Sequence, residues 1–274
     1  MKKILILAIS CSFLWSCSSS KKKTKKVAKP IVKKATKAKE PVAKKDKTKH
    51  QVHWGYTGAH GPSHWGAIKP EFATCKDGKA QSPVNLTWHK PEKGGTLKFG
   101  YIPTRYSIVD NGHAIQVDFP EGQKAMIHGH EYQLLQVHFH AVSEHTIGGK
   151  SYPAEAHFVH KNKEGGLAVV GVMIIEGEKN EFIDQLWGKI PSKKHQKLMD
   201  DKTPFNPMAL LPSIKTHYHY KGSLTTPPCT EGVMWYVLNT PISMSQMQLA
   251  YFNTYYTKTN RPVQPLNNRK AINY

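Results

Sequence analysis

The chain has 274 residues, of which 39% are hydrophobic and 21% are charged, and its formal net charge is +20. The charge is uneven, because residues 1–49 contain 16 lysines against two acidic residues and so hold +14 of it. Only +6 is left for the rest of the chain, so the basic character belongs mostly to residues 1–49, whose position beside an apolar leader argues against nucleic acid as a partner.

An export leader is predicted for residues 1–17. The apolar run of residues 4–15 follows a short basic region, and it is shorter than the ~20 residues of a membrane-spanning helix. The run ends in a Leu-Trp-Ser-Cys sequence that resembles a bacterial lipoprotein box, although tryptophan is unusual there. Lipidation of Cys17 is favoured over ordinary cleavage without a lipid, and both predict export to the periplasm or the cell surface.

A disordered tether is predicted for residues 18–49. The segment is mostly Ser, Lys, Ala, Thr, Val and Pro, and it has too little apolar surface to offset the entropy of ordering. Beside an export leader, such a polybasic stretch favours contact with anionic lipid or polysaccharide. With a lipid on Cys17, it would tether the protein to a membrane.

Residues 50–274 are long enough to form one domain with a sizeable core. Strand-like segments are separated by clusters of Gly, Pro and Asn, and helical segments are few. The predicted strands include residues 114–119, 134–140, 168–175 and 233–238, and the predicted helices are residues 181–187 and 245–256. These elements indicate a sheet-dominated domain.

Two histidine-rich strands follow one another in this domain. Because side chains alternate along a strand, His138 and His140 share one face. His157 lies on a second predicted strand, beyond the turn dipeptide Gly148-Gly149. A hairpin that is symmetric about this dipeptide places His140 directly across from His157, with Cβ atoms ~4.5–5.5 Å apart.

Three imidazoles on one face predict a metal site. A zinc ion with three histidine ligands keeps its fourth position open for water, which is the catalytic arrangement, and no cysteine lies nearby to close it. Gln136 and Glu155 lie on the same faces and are expected to accept ring N–H groups from the ligands. The alternative is that each histidine is an ordinary strand residue satisfied by hydrogen bonds.

The histidine segments belong to a wider set of motifs that resembles the α-class carbonic anhydrases. The motifs follow the family's order over roughly residues 52–270. They are Trp54-Gly55-Tyr56, Gly61-Pro62-Ser63-His64-Trp65, Gln81-Ser82-Pro83-Val84-Asn85, Asn111-Gly112-His113-Ala114, the two histidine segments, Ser143-Glu144-His145 and Gly222-Ser223-Leu224-Thr225-Thr226-Pro227-Pro228.

The resemblance implies a fold and an activity. The fold would be mainly β (α+β), a single domain with a large, twisted, mostly antiparallel sheet of about ten strands and few short helices. One zinc ion per chain would lie at the bottom of a cone-shaped cleft. The enzyme would hydrate carbon dioxide reversibly to bicarbonate and a proton, by attack of zinc-bound hydroxide. Bacterial members are often dimers, so the resemblance also implies a homodimer.

The resemblance further assigns roles to three residues. Thr225 would accept a hydrogen bond from the hydroxide and direct its own proton to an ionised Glu144; the alternative is that residues 225–228 form a simple turn. His113 matches the family's proton shuttle at the cleft mouth. Its ordinary pKa of ~6.5 suits that task, although a surface histidine without a role is the alternative.

Carbon dioxide is apolar, so a hydrophobic pocket is expected beside the metal. The residues that match the family's apolar wall are Val159, Val169, Leu224, Val233 and Trp235, and those that match its polar, water-ordering side are Tyr56, Asn111, Gln116 and Thr226. The apolar set could also be ordinary core. Gln116 replaces an asparagine of many animal members, and Ala141 replaces their tryptophan.

Two of the four cysteines, Cys11 and Cys17, lie in the leader. Cys75 and Cys229 remain as an even pair in an exported domain, where disulfides persist, and the alternative is two free thiols. The resemblance to bacterial members implies that this pair is bonded.

Three functions other than carbon dioxide hydration are less compatible with the sequence. A zinc peptidase would carry a helical His-Glu-x-x-His pattern, which the sequence lacks. A non-catalytic carbonic-anhydrase-like binding module would be expected to have lost a ligand, yet all three histidines are present. A basic adhesion or polysaccharide-binding protein would rest on the tether alone.

Overall fold

The computed structural model describes residues 53–274. The predicted leader, with Cys17, and the predicted tether therefore lie outside the described residues. Within residues 53–274, no helix is both long enough and apolar enough to cross a membrane.

The described chain is built on strands, with short helices between them. The strands are β1 (Asn85–Leu86), β2 (Leu97–Gly100), β3 (Thr104–Asp110), β4 (Ile115–Asp118), β5 (Lys124–Ile127), β6 (His130–His140), β7 (Thr146–Ile147), β8 (Ala154–Lys161), β9 (Leu167–Glu176), β10 (Lys197–Phe205), β11 (His217–Ser223), β12 (Glu231–Met244) and β13 (Ile272–Asn273). The α-helices are α1 (Trp65–Ile68), α2 (Thr74–Asp77), α3 (Glu181–Trp187) and α4 (Gln246–Tyr255), and 3₁₀ turns span Gly58–His60, Pro70–Phe72 and Pro207–Leu210.

One sheet of 11 strands dominates the described residues, in the order β10-β3-β4-β6-β8-β9-β12-β11-β13, with β5 also paired to β6 and β2 to β5. Every neighbouring pair is antiparallel except β9 and β12, which run parallel. The predicted mainly β fold with a large, mostly antiparallel sheet is confirmed.

The elements predicted from sequence lie close to the observed ones. Helix α3 has the predicted bounds, and α4 begins after Ser245, whose Oγ accepts a hydrogen bond from Gln248 N while Gln248 Oε1 accepts one from Ser245 N. Strands β6, β9 and β12 extend beyond the predicted segments. They do so because backbone pairing continues where the apolar pattern has ended.

Two hydrophobic clusters lie on opposite faces of the sheet. The larger cluster includes Phe139 of β6, and helices α3 and α4 cover it with Trp187 and Phe252, whose rings stack at 5.2 Å. The smaller cluster contains Val169 and Trp235 and lies on the other face. Because side chains alternate along β6, the histidines that flank Phe139 point away from the larger core.

The pairing of β6 with β8 differs from the prediction. His138 lies opposite His157, and His140 lies opposite Glu155, so the predicted pairing of His140 with His157 is wrong. The turn itself is where it was expected, because Ile147 and Lys150 bridge around the glycine pair.

The difference arises from two extra residues on one side of the hairpin. Between the Ser143–Tyr152 hydrogen bond and the Ile147–Lys150 bridge, one strand has three residues and the other has one. The backbone N–H groups of Glu144 and His145 leave the ladder and donate to Glu155 Oε2 at 2.8 and 2.9 Å. A shift of two residues preserves the face of every side chain, so the histidines still converge.

A disulfide joins Cys75 of α2 to Cys229, which follows the Thr225–Pro228 loop. The alternative of two free thiols is therefore wrong. The bond connects residues 154 positions apart and ties the N-terminal helical segment to the loop beside the histidines.

His160 of β8 makes the stability of the domain dependent on pH. Its Nδ1 donates to Ala168 O at 3.3 Å, and its Nε2 accepts from the Tyr101 hydroxyl. Burial lowers the pKa of His160 to about 4, although its backbone hydrogen bonds oppose the shift. The unfolded chain therefore binds more protons between pH 6.5 and 4, and stability falls as the pH is lowered through this window.

We expect His160→Gln to remove this contribution, which is about 3 kcal/mol over the whole window. Urea unfolding at a series of pH values should show a shallower loss of stability for the variant than for the wild type. The control is His64→Gln, at an exposed histidine, which should keep the wild-type slope. Equal slopes for His160→Gln and wild type would contradict the assignment.

Candidate metal centre

Three histidines converge on the face of the sheet opposite the larger core. Alternation on β6 supplies His138 and His140, and cross-strand pairing supplies His157 from β8. Their ring centroids are 5.0, 5.1 and 4.7 Å apart, and one nitrogen from each ring lies within 4.8 Å of the others. His140 and His157 are buried, and His138 is partly exposed.

In each ring, one nitrogen is hydrogen-bonded to an oxygen atom outside the cluster, and we call it the outer nitrogen. These contacts join His138 Nδ1 to Gln136 Oε1 (2.8 Å), His140 Nδ1 to Thr259 O (2.6 Å) and His157 Nε2 to Glu155 Oε1 (2.9 Å). Since carbonyl and carboxylate oxygens only accept, the outer nitrogens carry the protons. Lone pairs are therefore left on Nε2 of His138 and His140 and on Nδ1 of His157.

These lone pairs fit a metal cation. His140 Nε2 is buried and has no hydrogen-bond partner within residues 53–274, which is costly for a polar atom unless a cation binds it. Burial lowers the pKa of all three imidazoles, so they are neutral as metal ligands must be. In the part of the chain that the structure describes, the group consists of three imidazoles and no fourth ligand, a set that suits zinc.

The Glu155 carboxylate accepts hydrogen bonds from several groups beside the three histidines. Besides His157 Nε2, its carboxylate accepts from His145 Nδ1 at 2.8 Å and from the backbone N–H groups of Glu144 and His145. Burial alone would raise the pKa of Glu155, but His145 and His157 hold it well below its usual range. A Cβ at Gly171, on the neighbouring strand β9, would lie 2.9 Å from Glu155 Oε1, so glycine leaves room for the carboxylate.

Glu144 lies at the inner edge of the histidine cluster. Its Oε1 accepts from Arg261 N at 2.9 Å, and its Oε2 is 3.5 Å from His140 Nε2 without a hydrogen-bond partner among the described residues. Burial raises the pKa of Glu144 to about 7, while His157, the Arg261 N–H and the Thr225 hydroxyl lower it. A nearby cation would favour the ionised carboxylate further.

Comparison with known proteins matches this geometry. The family model for eukaryotic-type carbonic anhydrase matches residues 60–273. Carbonic anhydrases of Pectobacterium carotovorum and Neisseria gonorrhoeae are each 41% identical, over 81% of this chain and 91% and 88% of theirs. The α-carbonic anhydrase of Thermovibrio ammonificans, solved with the inhibitor sulfanilamide, superposes with a TM-score of 0.77 at 41% identity, over 81% of this chain and 99% of that one.

This chain belongs to the eukaryotic-type, or α-class, carbonic anhydrase family. The α carbonic anhydrases are zinc enzymes, and the three-histidine cluster described here is of the kind that holds zinc.

The side chains predicted for the apolar wall of this carbonic anhydrase lie together in the smaller hydrophobic cluster. Val169, Val233 and Trp235 are buried there, and Val159 and Leu224 pack against them with part of their surface exposed. The Trp235 ring lies 4.9 Å from the His157 ring. The wall therefore adjoins the histidines rather than the larger core.

Among the residues predicted for the polar side, Asn111 and Gln116 are hydrogen-bonded to each other. Asn111 Nδ2 donates to Gln116 Oε1 at 3.1 Å, and Gln116 Nε2 donates to Asp118 Oδ1 at 2.6 Å. The Tyr56 hydroxyl is buried without a partner among the described residues, and Thr226 is partly exposed. The side chain of Gln116 thus connects Asn111 to Asp118.

The surroundings of His113 lower the pKa of its ring. Its ring stacks on Trp54 with centroids 3.6 Å apart and lies 4.8 Å from the ring of His53. Burial lowers the pKa of His113 to about 4, and His53, His195 and Lys194 add to the shift. The expectation of an ordinary pKa near 6.5 is therefore wrong for the stacked ring, which is a weak proton acceptor.

Two residues of the site were missed from the sequence. Thr259 contributes a backbone carbonyl, which any residue could supply, so no signal marks it. Arg261 is almost fully buried, and its guanidinium donates to Gln81 Oε1, Ser82 O and Cys75 O while its backbone holds Glu144. A buried arginine cannot be distinguished from a surface arginine by sequence alone.

Replacing Glu155 should damage the protein more than replacing Gln136, because Glu155 accepts more hydrogen bonds. We expect Gln136→Ala to weaken zinc affinity by ~10–100-fold with little effect on folding. Glu155→Ala should also lower the free energy of unfolding, since it leaves several buried donors unpaired at ~1–3 kcal/mol each. Zinc titration and urea unfolding of both variants would test this. Equal stability of the two variants would contradict the central position of Glu155.

Proposed function

We propose that this carbonic anhydrase hydrates carbon dioxide reversibly at one zinc ion held by His138, His140 and His157. The observation that carries the proposal is the convergence of three unprotonated imidazole nitrogens beside an apolar wall. When bound, zinc acts as a Lewis acid and lowers the pKa of water to ~7, a value taken from carbonic anhydrases themselves.

Glu144 and Thr225 are proposed to orient the attacking oxygen. The ionised Glu144 carboxylate can accept the proton of the Thr225 hydroxyl, since it has no donor of its own. The hydroxyl oxygen of Thr225 would then be left as a hydrogen-bond acceptor. A water molecule held by zinc would donate its proton to this acceptor and so be oriented by it; the influence of the Thr225 hydroxyl on the pKa of Glu144 supports the pairing of these two residues.

The apolar wall is proposed to bind carbon dioxide. Val159, Val233 and Leu224 offer no hydrogen-bonding groups, so they favour a small apolar molecule over water. Bicarbonate, which is charged, gains little from these side chains and would leave readily. Thr226 supplies the hydroxyl at the partly exposed rim of the pocket.

The ligand assignment is tested by removing one imidazole. We expect His138→Ala to lose both zinc retention and carbon dioxide hydration, because two protein ligands hold zinc too weakly. Metal analysis and a stopped-flow hydration assay would be run on the same preparation. The matched control is His64→Gln. A His138→Ala variant with full zinc and a near-native rate would remove His138 from the ligand set.

His113 is proposed to carry the product proton out of the cleft. The match of residues 111–114 to the family's shuttle segment supports this role, whereas the pKa of about 4 makes proton transfer to the ring uphill while it is stacked on Trp54. We expect His113→Ala to lower kcat at low buffer concentration, to leave kcat/KM nearly unchanged and to be rescued by imidazole. Parallel loss of both parameters without rescue would mean that His113 supports structure instead.

Export, membrane attachment and dimerisation are further proposals. The Cys75–Cys229 disulfide supports export, since such bonds persist in oxidising compartments. A lipid on Cys17 and the Lys-rich tether of residues 18–49 would attach the enzyme to a membrane, in the periplasm or at the cell surface. Retention of the Cys17→Ser variant in the membrane fraction would count against the lipid, and sedimentation would test the homodimer.

A further inference from the structure

The side chain of Arg261 is buried although it carries a charge. Its exposed fraction is 2%, and burial lowers the pKa of its guanidinium to about 10, which still leaves the group charged at neutral pH. Burying a charge is unfavourable unless hydrogen bonds replace those that water would make. The position of this side chain therefore depends on the acceptors around its guanidinium.

Three acceptors from the N-terminal part of the domain surround the guanidinium. Its Nη1 donates to Gln81 Oε1 at 2.8 Å and to Ser82 O at 2.9 Å, and its Nη2 donates to Cys75 O at 2.7 Å. Because a guanidinium is planar and rigid, three such bonds fix its orientation as well as its position. The side chain thus fastens the chain at residue 261 to the segment of residues 75–82.

The backbone beside this side chain contacts two residues of the candidate metal centre. The Arg261 N–H donates to Glu144 Oε1 at 2.9 Å, and Thr259 O accepts from His140 Nδ1 at 2.6 Å. Residues 259–261 belong to neither a helix nor a strand, so no backbone ladder fixes the Arg261 N–H. Hydrogen bonds between Thr259 and Ala141 hold one end of this short segment, and the Arg261 guanidinium holds the other.

Gln81 connects the same guanidinium to the loop that carries Thr225. Its Oε1 accepts from Arg261, and its Nε2 donates to Cys229 O at 3.1 Å. Cys229 directly follows the loop of residues 225–228. Since the Thr225 hydroxyl interacts with Glu144, both members of this pair are joined through short chains of hydrogen bonds to one guanidinium.

We propose that Arg261 is a positioning residue for the Glu144–Thr225 pair. Its guanidinium fixes the backbone N–H that binds Glu144 and, through Gln81, the loop that carries Thr225. The inference rests on the proposed function, since it gives Arg261 a part in the same reaction without contact with the substrate. A displacement of about 1 Å at a reacting group can lower a rate by about a hundredfold, so the fixed position matters to the hydration step.

The test removes the guanidinium and keeps the backbone N–H at position 261. Arg261→Met is expected to lower kcat/KM for carbon dioxide hydration, measured per bound zinc ion, by about tenfold to a hundredfold. The matched control is Arg269→Met. The Arg269 guanidinium donates to Lys221 O and Gln81 O, and within residues 53–274 it makes no hydrogen bond to Glu144. The control should lower the free energy of unfolding and keep the wild-type kcat/KM.

A double-mutant cycle separates positioning from general destabilisation. If Arg261 acts through Glu144, Arg261→Met should have little further effect on kcat/KM in a chain that already carries Glu144→Gln. Losses that multiply in full would overturn the proposal, because they would show that the two residues act independently. Where Arg261→Met does not fold, Arg261→Lys, which retains a charge and N–H donors, takes its place in the same cycle.

Amide hydrogen exchange tests the same contact without zinc and without activity. In the metal-free protein, the amide at position 261 should exchange about three- to tenfold faster in Arg261→Met than in the wild type, because it is no longer held against Glu144. Arg269→Met should keep the wild-type exchange rate. Unchanged exchange in Arg261→Met would overturn the proposal even if hydration is lost. A wild-type chain that binds zinc without hydrating carbon dioxide would instead refute the proposed function, and faster exchange in Arg261→Met would still support the positioning of this N–H.

Discussion

The buried carboxylate of Glu155 is the contact on which the geometry of the site depends. Its Oε1 accepts hydrogen bonds from one ring nitrogen of His145 and one of His157. Its Oε2 accepts from the backbone N–H groups of Glu144 and His145. The same group therefore sets the tautomer of a candidate metal ligand and the position of the segment that carries Glu144. Gly171 leaves the space in which this carboxylate fits.

Rigidity around Glu155 comes from the two sides of the sheet. Phe139, between His138 and His140 in sequence, is packed beneath Trp187 and Phe252, so the backbone that carries both histidines is fixed by the larger core. On the other side, His145 contacts Tyr220, which contacts Ser82 Oγ at 2.9 Å. An ion site built in this way is preorganised, because its ligands are held by packing and by neighbouring hydrogen bonds.

The sequence predicted the parts of this site that follow from side-chain type and alternation. The His-x-His pattern of β6 places His138 and His140 on one face in any register. The two extra residues on one side of the hairpin shift the register by two positions, which is an even number. Conclusions about faces therefore held, although the predicted partner of His140 was wrong. The large sheet, both longer helices and the family could also be predicted.

The remaining features depend on tertiary packing, which alternation does not encode. The acceptor for His140 is a main-chain carbonyl 119 residues away, and no side chain marks it. The low pKa of His113 arises from its burial against Trp54 and from neighbouring positive groups on distant segments. Likewise, His128 and His217 form a hydrogen bond although they lie on different strand pairs, so their contact cannot be predicted from sequence spacing.

The central claim is that the three imidazoles on β6 and β8 hold the catalytic ion. The most direct measurement is to strip the protein of metal and follow the carbon dioxide hydration rate as Zn²⁺ is added back, with bound zinc measured in the same samples. The account predicts no hydration without zinc and a rate that rises with occupancy of His138, His140 and His157. Full occupancy of these histidines without hydration, or hydration by the metal-free protein, would contradict it.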